Sequence, residues 1–276
     1  MLKIKDKKNV IEIETMSGKI VFDAECGGQI CAMETKNELS SHSLVGKGRT
    51  LHELEMVING KRLKLSSVRA DIKITKKEKD FCRIMTTAHL HNAAIVTQEY
   101  EIHEEGVVFC NFAVDTPAGT KFELGECCIV ARMDLSESHL ARWGYYTRQP
   151  KYKRDYSTVH AFSEFSMHRK LAEHVDKREL LPYFSVSIGW GDTKFFSNHL
   201  EFLMEDWTSY NDGPLSLTKT VAGGDGKAWE ARWYFHEGST VTITGSYRYR
   251  NRWAFLFGRG RNKTGAEADP AVRNNV

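Results

Sequence analysis

The chain has no apolar run approaching the ~18–20 residues that a membrane-crossing helix needs. Nor does it have a marked excess of either charge. Lys plus Arg number 39 against 36 for Asp plus Glu, a formal net charge of +3. A dedicated nucleic-acid binder would carry a stronger basic surplus, so no nucleic-acid partner and no membrane partner are expected. Cys-x-x-Cys and the Cys/His spacings of zinc ribbons and fingers are absent, as are an EF-hand loop, a Gly-x-Ser-x-Gly elbow and a complete dinucleotide fingerprint. Gly223-Gly224-Asp225-Gly226-Lys227 lacks the spacing and the Ser/Thr of a phosphate-binding loop and reads as a turn. No metal and no cofactor are expected. The first residues, Met1-Leu2-Lys3-Ile4-Lys5-Asp6-Lys7-Lys8, form a charged alternating segment without the apolar stretch of a secretory signal. Six scattered cysteines then read as reduced, buried thiols, and a cytoplasmic location is expected.

What is present is an ordinary globular composition over 276 residues, 41% hydrophobic and 27% charged. Period-two alternation dominates it. Val10–Thr15 and Lys19–Asp23 flank a Gly-containing connection and read as a hairpin. Leu54–Ile58 and Lys61–Leu65 flank Asn59-Gly60, whose residue types tolerate the positive φ that a type I′ turn requires at both central positions. Ala70–Thr75, Asp80–Leu90 and Ala93–His103 alternate as well, and Phe122–Met133, with its run Cys127-Cys128-Ile129-Val130-Ala131, reads as a buried strand. His236-Glu237-Gly238-Ser239 reads as a further hairpin connection. More than a dozen short strands predict an all-β, large antiparallel β-sandwich with at most one or two short helices, one of them over Arg169–Leu181 before Pro182. Residues 1–258 are expected to form a single domain, and the polar, non-periodic residues 259–276 a tail or linker.

Two clusters break the alternation. Arg142–Tyr156 combines one Trp and four Tyr with five basic side chains and reads as a loop. Trp190-Gly191-Asp192, followed by Glu205-Asp206-Trp207, places aromatics beside acids near expected strand ends. Pyranose rings offer apolar C–H faces that stack on aromatic rings, and hydroxyls that pair with Arg, Asp and Asn. Trp143, Tyr145, Tyr146, Arg148, Trp190, Asp192 and Trp207 are therefore the candidate carbohydrate-binding residues. Competing readings are aromatics packed on a sheet and Asp residues serving only as turn formers. In Tyr247–Trp253, alternating Arg and aromatic residues read as a half-buried strand rather than a nucleic-acid surface. No catalytic residue is identified.

The strand-dense rhythm from Val10 to Phe257, with Thr97–Phe109 as a recurring hairpin, resembles the β-supersandwich of galactose-mutarotase-like proteins, also found at the N-terminus of several glycoside hydrolases. The resemblance implies a carbohydrate-associated domain with a carbohydrate ligand and a catalytic domain further along a longer parent chain. Two alternatives stand beside it: an autonomous carbohydrate-active enzyme (a polysaccharide lyase, or a sugar isomerase of the mutarotase kind) and a structural or assembly protein. In the lyase alternative, Tyr146 or His160 abstracts a proton beside Arg148 or Lys151.

Overall fold

Alternation of apolar and polar residues drives the chain into strands almost from its first residue. The computed structural model describes residues 2–36, 41–46, 48–91, 93–134, 140–146, 159–160, 183–189, 196–204, 219–224, 228–245 and 247–261. The first strands are β1 (Lys3–Lys7), β2 (Val10–Glu14), β3 (Gly18–Asp23), β4 (Gln29–Lys36) and β5 (Ser41–Ser43). Then come β6 (His52–Ile58), β7 (Lys61–Lys64), β8 (Ala70–Lys77), β9 (Phe81–Leu90), β10 (Ala94–His103), β11 (Val107–Thr116) and β12 (Lys121–Asp134). After these follow β13 (Leu140–Tyr146), β14 (Val159–His160), β15 (Tyr183–Gly189) and β16 (Phe196–Met204). The last are β17 (Lys219–Gly224), β18 (Ala228–His236), β19 (Val241–Thr244) and β20 (Tyr247–Arg261). Among the described residues the only helical elements are single 3-10 turns at Ala24–Cys26 and Leu65–Ser67, and no helix is long and apolar enough to cross a membrane.

Three antiparallel sheets result. A meander β1-β2-β3-β4-β5 forms the first, β14-β13-β15-β16-β20-β11-β10-β9-β8 the second, and β17-β18-β12-β6-β7 the third, with β19 also paired to β12. Their inner faces meet in one apolar core. Ile11, Ile13, Ile20 and Phe22 come from the first sheet, Ile84, Tyr100, Cys110 and Phe112 from the second, and Leu54, Met56, Ile129 and Trp233 from the third. Each such large side chain stabilises the fold by ~1.5–3 kcal/mol through removal from water. All six cysteines are free thiols, and four of them are buried.

The Asn-Gly turn forms as its residues dictate. Asn59 and Gly60 take φ of 50° and 74° between the paired residues Ile58 and Lys61. Asn59 Oδ1 also accepts the Glu123 amide at 2.8 Å, which ties the turn to β12. A second tight spot holds the two helical turns together. A Cβ on Gly27, at φ +68°, would lie 2.3 Å from the Leu65 carbonyl oxygen.

Two local expectations are corrected. His236–Ser239 does not reverse the chain: β18 pairs with Cys127–Asp134 and β19 with Lys121–Leu124 of the same strand, both antiparallel. β18 and β19 therefore run in one direction, like a single long strand interrupted at its middle, where His236 Nε2 lies 2.9 Å from the Ser239 carbonyl oxygen. Residues 142–146 are strand rather than loop, because β13 pairs along its whole length with β15. β20 runs through Arg261, paired there with Phe196. The expected helix over Arg169–Leu181 lies outside the described residues.

Candidate functional site

β6 departs from simple alternation. Its core-facing residues His52, Leu54 and Met56 are buried as expected, but so are Glu53 and Glu55 on the opposite face, each 2% exposed. Carboxylates are rarely sealed in this way without partners. Register supplies them. Glu55 stands opposite Lys64 on β7 and Cys128 on β12, Cys128 opposite Tyr234 on β18, and Arg132 opposite Glu230. The outward face of four neighbouring strands thus becomes one charged surface.

Glu55 is its centre. Arg132 Nη2 donates to it at 2.7 Å, Arg62 Nη1 at 2.9 Å and Arg232 Nη1 at 3.3 Å, while Lys64 Nζ lies 3.5 Å away. Arg62 Nη1 also donates to Glu126 at 2.9 Å, and the Nε atoms of Arg132 and Arg232 donate to Glu230 at 2.8 and 2.5 Å. Burial alone would raise the Glu55 pKa. The hydrogen bond from Arg132 and the charges of Arg232, Arg132 and Lys64 outweigh it, and the group is held below the usual carboxylate range. Glu53 goes the other way. Burial raises its pKa, and the bonds from the Ser66 amide (2.8 Å) and the Ser66 hydroxyl offset only part of that.

Glu55, Glu126 and Cys128 bring three ligand atoms within 4.8 Å of one another. The chemistry does not favour a metal ion there. Burial, with Glu55 and Glu126 nearby, pushes the Cys128 thiol up to about 12, so it stays protonated at neutral pH. Four cationic side chains around Glu55 oppose a further positive charge. On the core side of β6, His52 Nε2 lies 2.6 Å from the Tyr100 hydroxyl and 3.2 Å from Gln98 Nε2, and Gln98 Oε1 accepts from Thr86 at 3.4 Å. Burial lowers the His52 pKa to about 3, so this imidazole is neutral and serves the packing of the core.

Of the sequence candidates, Trp143, Tyr145 and Tyr146 share β13, where their backbone partners are Val186, Phe184 and Tyr183. Arg148, Trp190, Asp192 and Trp207 lie outside the described residues. Leu140 pairs with Gly189 at one end of β13, and Tyr146 meets Tyr183, the partner of Leu203, at the other. The Gly189 end of β15 and the Met204 end of β16 therefore lie at opposite ends of these paired strands. Sequence reading passed over Glu53, Glu55, Arg62, Glu126, Arg132, Glu230 and Arg232. Each stands at an outward position of an alternating strand, the usual mark of a solvated face, and only the pairing register brings them together.

No protein-family model matches the chain, and no curated protein sequence matches it. Solved structures do. The crystal structure of a galactose mutarotase-like protein from Clostridium acetobutylicum superposes with a TM-score of 0.55 over 95% of this chain and 99% of that one, at 8% identity. The fold is galactose-mutarotase-like. A candidate aldose 1-epimerase from Klebsiella pneumoniae subsp. pneumoniae gives a TM-score of 0.52, covering 93% of this chain and 82% of that one, at 7% identity. At such identities the galactose-mutarotase-like likeness is one of architecture, and site chemistry has to be argued from this chain's own residues.

Proposed function

We propose that this chain is a carbohydrate-binding domain whose ligand lies against the outward face of the β18-β12-β6-β7 surface. One observation carries the reading: Glu55, a carboxylate 2% exposed, is fixed among three guanidinium groups on the side of the sheet that faces away from the core. Saccharide recognition needs rigid donors and acceptors side by side, because each hydroxyl both gives and takes a hydrogen bond. Arg62, Arg132 and Arg232 supply the donors, and Glu126 and Glu230 the acceptors. Holding them in place before the ligand arrives lowers the ordering cost of binding. The carbohydrate-associated fold of the neighbours agrees with this reading.

Trp143, Tyr145, Tyr146, Arg148, Trp190, Asp192 and Trp207 are proposed as a separate set of carbohydrate contacts, Trp143, Tyr145 and Tyr146 lying on β13 of the nine-stranded sheet, and the chain acts as the accessory or N-terminal domain of a glycoside-hydrolase-like protein. The free thiols support a reducing, cytoplasmic setting. Titration of a glycan panel, followed by intrinsic Trp fluorescence and calorimetry, is the test. Saturable binding by at least one glycan, weakened at least tenfold by Arg232→Met, is expected. No binding across neutral and acidic glycans overturns the reading.

A second reading, an autonomous enzyme, is favoured by Glu53 and Glu55. Two carboxylates with pKa values pushed in opposite directions are suited to acid and base roles. Accelerated anomer interconversion, monitored by NMR and lost in Glu53→Gln, would support it. Rates equal to the buffer blank would remove it.

A further inference from the structure

Among the described ion pairs of this face the charges do not cancel: Arg62, Lys64, Arg132 and Arg232 contribute four positive charges, and Glu55, Glu126 and Glu230 three negative ones, leaving one in surplus within these pairs. Depth sharpens the asymmetry. Glu55 lies at the bottom, its side chain 2% exposed, whereas Arg62 and Lys64 on β7 are the outermost charges at 46% and 45%. Glu126 and Glu230 lie between, at 24% and 33%. A ligand approaching this face meets cations first. Arg132 engages its acids through Nε and Nη2 and Arg232 through Nε and Nη1, and Arg232 also bonds the Tyr234 side chain.

The geometry points to an anionic saccharide, with a uronate carboxylate or a sulfate ester held at Arg62 and Lys64 and sugar hydroxyls over Glu126 and Glu230. This rests on the carbohydrate-binding reading and adds the class of sugar. Neutral saccharides would leave the surplus charge unmatched, whereas an anionic group pairs with guanidinium in the strongest class of hydrogen bond.

The test is calorimetric titration of the full chain with three probes: a galacturonate hexasaccharide, a sulfated heparin hexasaccharide and neutral maltohexaose. The expected result is binding of the uronate or the sulfated probe at least tenfold tighter than maltohexaose, weakening several-fold between 50 and ~300 mM NaCl as screening grows. The two charged probes tell carboxylate from sulfate recognition. Arg62→Gln with Lys64→Gln should cost the acidic probe at least tenfold, and Arg62→Lys, which retains the charge, should cost less. Because Arg62 touches buried Glu55, the salt dependence of the unaltered chain provides a readout that needs no variant. Maltohexaose binding as tightly as the acidic probes, or acidic binding indifferent to salt, overturns the inference and leaves the carbohydrate reading standing. Binding of none of the three probes overturns both.

Discussion

Glu53 and Glu55 sit two residues apart on the same face of β6, equally sealed from solvent, yet their proton affinities are displaced in opposite directions. The cause lies in their partners. Glu53 is held by Ser66, an uncharged donor, whereas Glu55 is held by guanidinium groups from β7, β12 and β18. One strand thus carries a carboxyl biased toward its neutral form beside one fixed as an anion.

Removing the charge of Glu55 should be costly. Glu55→Gln leaves Arg132, only 14% exposed, without its buried partner, and a loss of about 3–5 kcal/mol in unfolding free energy is expected. Adding Arg132→Met should recover part of that loss, because the two sites share one interaction. Urea unfolding of both variants checks this, and equal losses in the single and double variants would refute it.

His52 imposes a pH dependence whose sign is fixed. Its folded pKa of about 3 lies below the ordinary 6.5, so below pH 6.5 the unfolded chain takes up a proton that the folded chain refuses. Its contribution to stability is complete above pH 6.5 and falls as pH drops toward 3, by up to ~1.4 kcal/mol per pH unit. Glu53, with its raised pKa, works in the opposite direction. The comparison that isolates His52 is therefore the stability slope of the wild-type chain against His52→Gln between pH 6.5 and 5, where the variant should be flatter.

Two glycines with similar φ should respond differently to alanine. Gly60 and Gly27 lie at φ +74° and +68°, but a Cβ on Gly60 meets nothing within 4 Å, whereas one on Gly27 would lie 2.3 Å from the Leu65 carbonyl oxygen. Gly60→Ala should cost ~1–2 kcal/mol of backbone strain. Gly27→Ala adds a clash that requires the two helical turns to separate, and a loss of ~3 kcal/mol or more is expected. Thermal unfolding of the two variants separates these values.

Much of the architecture was legible because it is local. The Asn59-Gly60 turn, the Thr97–Phe109 hairpin and the buried strand over Phe122–Met133 each carry their signal within a dozen or so neighbouring residues. β18 and β19 defeated that approach, since a Gly-bearing break looks the same whether the chain reverses or continues along a common partner. β13 was read as loop because its aromatics follow no polar alternation, and its strand character comes from pairing with β15 some forty residues later. The charged face was the least legible. Glu55 meets Arg132 across 77 residues and Arg232 across 177, a relationship set by register and invisible to periodicity.

The arginine Nε–Hε signals, followed by NMR while each of the three hexasaccharides is titrated to saturation, test most directly where the ligand sits. Arg83, paired with Glu101 on the nine-stranded sheet, serves as the internal reference. Arg62, Arg132 and Arg232 are expected to shift with the tightest-binding saccharide while Arg83 stays in place. Movement of Arg83 with the other three unchanged at saturation would contradict it.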